Sequence, residues 1–125
     1  MLFEIAVADA RPLYIQIMDE VRRAIVLGTI QPDEPLPSVR QLAFELRVNP
    51  NTVQQAYREL EREGVVYMRR GQGTFIARNS GGAEERRALL DSVAERAARD
   101  AFRNGVVIDD LIAALQSHQR GKSES

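Results

Sequence analysis

Two helix-start signals in quick succession, at Ser38 and Asn49, constrain this chain more than any other feature. Ser38 precedes Gln41 by three residues, the spacing of a capping box in which each satisfies the other's orphan amide. Val39, Leu42, Ala43 and Leu46 then recur at helical spacing, and Arg47-Val48 carries a turn. Asn49 supplies a second cap, and Pro50 fills the first helical position, where its missing N–H costs nothing. Val53, Ala56, Tyr57 and Leu60 make the inner face of this second helix, and Gly64 closes it. Two β-prone runs follow, Val65 to Arg69 and Thr74 to Arg78, joined by Arg70-Gly71-Gln72-Gly73. A short helix, a tight turn, a longer helix and a basic hairpin describe a winged helix-turn-helix, mainly α with a small β-hairpin.

The flanks complete the architecture. Leu13, Ile17, Met18, Val21, Ala24 and Ile25 predict an amphipathic helix over 13–27, between Pro12 and Gly28. Asp19, Glu20, Arg22 and Arg23 fall mostly on its other side, expected to face solvent. Thr29 to Pro37 contains Pro32, Pro35 and Pro37 and reads as an extended connection. Asn79-Ser80-Gly81-Gly82 has hinge composition. Beyond it, helices are predicted over 83–103 and 108–118, with Asp109-Asp110 favouring the positive end of the last one. The division is thus a winged domain over 1–78, a hinge over 79–82, a helical dimerisation region over 83–118 and a disordered tail over 119–125.

Charge sharpens the reading when taken by segment. The 125 residues carry a net charge of −1. Residues 36–78 nevertheless hold Arg40, Arg47, Arg58, Arg62, Arg69, Arg70 and Arg78 against only Glu45, Glu59, Glu61 and Glu63. Residues 1–35 and 79–125 are each net acidic, so positive charge concentrates on the winged pattern. Almost every cation is arginine, whose planar fork grips a phosphate or a guanine edge with two hydrogen bonds. There is no cysteine, which removes disulfides and thiolate metal sites and suits a reducing cytoplasm. No apolar run is long enough to span a membrane. Nor does the start resemble a secretory signal, since Glu4 and Asp9 stand where a basic region belongs. Catalysis would need a nucleophile with its base, paired carboxylates or a metal cluster; none is legible, and neither an enzyme, a metal nor a cofactor is expected.

In a helix-turn-helix the second helix enters the major groove of DNA with its first turns against base edges. Asn51, Thr52, Gln54, Gln55 and Arg58 occupy that position, and Asn and Gln pair with adenine through two hydrogen bonds. Arg40 reaches phosphate or guanine, and Ser38 with its neighbouring amides offers a helix N-terminus to a phosphate. The hairpin tip, Arg69, Arg70, Gly71 and Gln72, suits a minor groove. Singly, each of these is also an ordinary polar surface residue; the set on adjoining elements carries the inference. Tyr57 and Phe75 are expected in the core, and His118 at the surface. Leu89, Leu90, Val93, Ala97, Ala101, Phe102, Leu111, Ile112 and Leu115 form a stripe too large for two small helices to bury alone. Packing against an identical pair in a two-fold dimer is the expected solution. The competing reading is a winged module that recruits a protein partner without DNA specificity.

The segments PLYIQIMDEVRRAIVLGTI, LPSVRQLAFELRVNPNTVQQAYRELEREGVV and RRGQGTFIA resemble the N-terminal domain of the GntR family of bacterial transcription regulators, over about Pro12 to Ala77. The short two-helix end resembles the YtrA subfamily. The resemblance implies DNA contacts at Arg40 and at Asn49, Asn51, Thr52 and Gln54, with Gly71 entering the minor groove. It also implies a homodimeric repressor on an inverted-repeat operator, often near transporter genes, with a small-molecule effector as a further possible partner. Two departures stand out. Asn49-Pro50 replaces a common Ser-Arg, removing one basic contact. Pro32-Asp33 replaces a usual Pro-Gly, a change expected to alter only a loop.

Overall fold

The computed structural model describes residues 10–79 and 82–123. Its elements run α1 (Leu13–Val26), α2 (Val39–Leu46), α3 (Pro50–Arg62), β1 (Val66–Arg69), β2 (Gly73–Ile76), α4 (Ala83–Arg103) and α5 (Ile108–Ser123). Ser80 and Gly81 of the expected hinge lie outside the described residues, as do 1–9 of the winged domain and 124–125 of the expected tail. Residues 119–123 are helical rather than disordered, because α5 continues past His118 to Ser123. Contacts divide the chain after Leu89, inside α4, so the first turns of that helix belong with the winged unit.

Within the winged unit, α3 is the central element and packs against both α1 and α2. Its Val53, Ala56 and Leu60 have no exposed surface, and they meet Ile17 and Val21 of α1 and Leu42 of α2, also sealed. Ile76 of β2 closes the same core. Spacings of three and four residues place these side chains on one stripe of each helix, which is why the core is legible as periodicity. Tyr57 is buried and donates its hydroxyl to the Pro37 carbonyl at 2.7 Å, tying α3 to the entrance of α2. Burial, with Glu45 adding repulsion, pushes its phenol well above the ordinary range.

Both caps form, each capping oxygen accepting a helix amide. Ser38 Oγ accepts the Gln41 amide at 3.1 Å, and Asn49 Oδ1 accepts the Asn51 amide at 2.8 Å. Arg47 ends α2 in the left-handed conformation, φ 57°, directing Val48 N–H back to the Ala43 carbonyl. That reversal sets α3 across α2.

Three expectations need correction. Most of the polar side of α1 does not face solvent: Gln16, Asp19, Glu20 and Arg22 are buried, while Arg23 is exposed as expected. Arg11 and Arg22 both pair with Asp19, and Arg22 also pairs with Glu63 just past α3, so the buried charges are matched. Second, the proline-rich connection is part of the wing. Asp33 N–H donates to the Ile76 carbonyl (2.7 Å), Ile76 N–H to the Glu34 carbonyl (2.9 Å) and Leu36 N–H to the Thr74 carbonyl (2.8 Å). Residues 33–36 thus run antiparallel beside β2, with Pro35 opposite Phe75 at the edge, where a missing N–H is tolerated. Third, Phe75 is only half-buried; it stacks on Tyr67, its cross-strand partner, with ring centroids 5.7 Å apart.

The second unit contains the rest of α4 and all of α5. α4 ends at Arg103 and is closed by Gly105, φ 68°, beyond which Val106 N–H returns to the Ala101 carbonyl at 2.8 Å. α5 does not fold back along α4. Leu90, Val93, Phe102, Val106, Val107, Ile108, Ile112 and Leu115 consequently remain exposed.

Candidate nucleic-acid interface

The core stripe of α3 fixes what its opposite side presents. With Val53, Ala56, Tyr57 and Leu60 turned inward, Asn51, Gln55 and Arg58 line the exposed side, flanked by the half-buried Thr52 and Gln54. Asn51 and Arg58 are two turns apart, about 10 Å along the axis, a span suited to several successive base pairs. Asn49 stands at the helix entrance; its carbonyl oxygen is engaged in the cap, while its amide donors point to no described partner. Ser38 is likewise exposed, its oxygen accepting the Gln41 amide.

Electrostatics separates two classes of arginine. Arg11, Arg22, Arg23, Arg62 and Arg78 of the winged unit are each held by a carboxylate. Among the described residues of the unit, Arg40, Arg47, Arg58, Arg69 and Arg70 are exposed and make no ion pair, and the same holds for Arg86 and Arg87 in the first turns of α4. The first five lie near the start of α2, in the turn, on α3 and on the wing. An unpaired surface guanidinium is ready for phosphate, because no internal contact must be broken first. Arg47 joins this set of exposed arginines although the sequence reading gave it no site role. Its signal is a basic residue in the turn itself, taken there as a connector only.

The wing presents Arg70, Gly71 and Gln72 at its tip, all exposed. The register pairs Arg69 with Gly73, and Gly71 adopts φ 78°, which a side chain would resist. Arg69 differs from its neighbour: its guanidinium lies 5.4 Å from the Tyr67 ring centre and 5.0 Å from that of Phe75. The two rings form a platform beneath the cation. A shallow cleft elsewhere in this unit, lined by Arg22, Glu63, Val65, Glu84, Glu85 and Ala88, shares none of these residues. Among the described residues no group of His, Asp or Glu is arranged to hold a metal ion, and no helix is long and apolar enough to cross a membrane.

A recognition helix with polar outer residues, a preceding helix with a free N-terminal arginine and a basic wing define a winged helix-turn-helix DNA-binding protein. Residues 13–76 match the model of the bacterial regulatory proteins of the gntR family. The chain belongs to the GntR family of transcription regulators, which are not enzymes. It is 35% identical over 121 residues to the HTH-type transcriptional regulator YhcF of Bacillus subtilis, covering 90% of this chain and 94% of that one. It is 35% identical over 112 residues to the HTH-type transcriptional repressor YtrA of the same organism, covering 88% and 86%. Among solved structures, it resembles the AraR DNA-binding domain in complex with operator ORX1, with a TM-score of 0.53 at 31% identity, over 61% of this chain and 93% of that one.

Proposed function

We propose that this regulator is a cytoplasmic repressor that binds an inverted-repeat operator as a homodimer. The observation that carries the DNA half is the gathering of exposed, unpaired arginines on α2, the turn, α3 and the wing, beside the polar outer residues of α3; Arg86 and Arg87 at the start of α4 are unpaired as well, while Arg11, Arg22, Arg23, Arg62 and Arg78 are neutralised. Asn51, Thr52, Gln54 and Gln55 read base edges, while Arg40, Arg58 and the Ser38 hydroxyl hold phosphates. The wing tip, Arg70, Gly71 and Gln72, lies along the minor groove. The name of YtrA as a repressor and the AraR–operator complex support this reading by similarity.

Exposed apolar residues on α4 and α5 support the homodimer. Phe102 is 87% exposed and Leu90 66%, a cost that a second copy removes by packing the same surface against itself. Of the residues assigned to that interface from sequence, Ala101 is already buried within one chain, so it adds little; Val106, Val107 and Ile108 join the set. Two-fold symmetry would then match two half-sites of an operator. The resemblance to the YtrA subfamily makes transporter genes the proposed targets, with any small-molecule effector acting on the assembled dimer.

Footprinting on the promoter of the chain's own operon tests the proposal. The intact protein should protect a two-fold symmetric site, with affinity falling steeply as salt rises. Arg40→Ala should weaken binding about tenfold and flatten the salt dependence by about one charge. A partner-recruiting module would show neither protection nor salt sensitivity.

A further inference from the structure

Asp33 is one of two described residues other than glycine with positive φ, at 66°. Holding a side chain there costs about 1 kcal/mol or more relative to glycine. The Asp33 carboxylate is fully used. Its Oδ1 accepts the Tyr67 hydroxyl at 2.7 Å, and its Oδ2 accepts Arg78 Nε at 2.7 Å. Tyr67 belongs to β1, Arg78 lies just past β2, and Asp33 itself sits in the strand-like segment on the far side of β2. The carboxylate therefore links the strand-like segment to β1 and to the residue just past the end of β2. The Tyr67 ring that it anchors is stacked on Phe75 and carries Arg69.

We infer that Asp33 is a positioning residue for DNA recognition, which by fixing Tyr67 sets the attitude of the wing and its arginines. Two four-residue strands are too short to hold themselves rigid. The backbone ladder to residues 33–36 secures β2, and the Asp33–Tyr67 hydrogen bond ties that segment to the outer part of β1. Without it the stack is free to slide and the tip loses its fixed approach to a groove. This inference rests on the reading of the chain as a duplex-binding protein.

The test compares the full-length protein with Asp33→Gly, Asp33→Asn and Tyr67→Phe. The probe is a duplex carrying the sequence that the unaltered protein enriches from a random pool. Asp33→Gly keeps the backbone conformation at no steric cost, so its melting temperature should stay within a few degrees. Its Gly71 and Gly73 amides should move from rigid order parameters of about 0.85 toward 0.6 by nitrogen relaxation, with α3 unchanged. Duplex affinity should fall about tenfold, as for one lost phosphate contact. Asp33→Asn, which keeps one acceptor, should lie between. Tyr67→Phe should match Asp33→Gly, and the double variant should add nothing further. A rigid tip with affinity unchanged within about twofold in Asp33→Gly would overturn the positioning role alone. An unaltered protein that enriches no duplex would instead overturn the DNA reading, with the tip dynamics still deciding whether Asp33 anchors the wing.

Discussion

Removing the Arg22 guanidinium tests whether the polar side of α1 is structural. Arg22 is 10% exposed and bonds Asp19 at 3.0 Å, itself 5% exposed; its other partner, Glu63, is 47% exposed. The contact with Glu63 lies near water and is worth under about 1 kcal/mol. The contact with Asp19 is different, since deleting one partner of a buried pair costs about 3–5 kcal/mol by leaving the other charge behind. Asp19 keeps Arg11 as a partner, which moves the expectation to the lower end, about 3 kcal/mol for Arg22→Ala. A solvent-facing side of α1 would instead give a change within about 0.5 kcal/mol. The assay is urea unfolding followed by circular dichroism, at fixed protomer concentration because dimerisation shifts apparent stability. Arg22→Met should recover only the packing of the stem. Double-mutant cycles should give a coupling under about 1 kcal/mol with Glu63 and a larger one with Asp19. A loss below about 1 kcal/mol for Arg22→Ala, with unchanged urea dependence, would refute the buried network.

Three further outcomes follow from the geometry. Phe102→Ala should raise the dimer dissociation constant at least about 30-fold, from roughly 2 kcal/mol of apolar burial per copy; unchanged sedimentation on dilution would remove Phe102 from the interface. Arg47→Gly should raise stability by about 0.5–1 kcal/mol, since relief at φ 57° exceeds the entropy that glycine gains when unfolded. A lower unfolding midpoint would contradict that strain. For pH, the Tyr67 hydroxyl and then Arg78 hold the Asp33 carboxyl below its ordinary value. The charged form is the one favoured in the fold, so its contribution is present above the unfolded carboxylate value and is lost as pH falls through the lower folded one. Amide shifts of Phe75 and Gly73 should therefore move at a lower pH than an unperturbed aspartate would give, and Asp33→Asn should abolish that step.

Much of the fold was readable because its signals are local. Capping by Ser38 and Asn49, Pro50 at a helix start, the glycines of the wing tip and the core stripe of α3 depend on residues within a few positions of one another. The outer side of α3 followed at once, since placing Val53, Ala56, Tyr57 and Leu60 inward leaves Asn51, Gln55 and Arg58 outside. What the sequence could not decide were pairings between residues far apart in the chain. The polar side of α1 looked solvent-facing until Glu63, 41 positions beyond Arg22, met it. The connection before α2 looked like a loop until Ile76 and Thr74 gave it a strand's hydrogen bonds. Asp33 and Tyr67, 34 positions apart, show why: a short polar side chain acquires its role from whichever partner the tertiary fold brings within 3 Å, and periodicity carries no record of that partner.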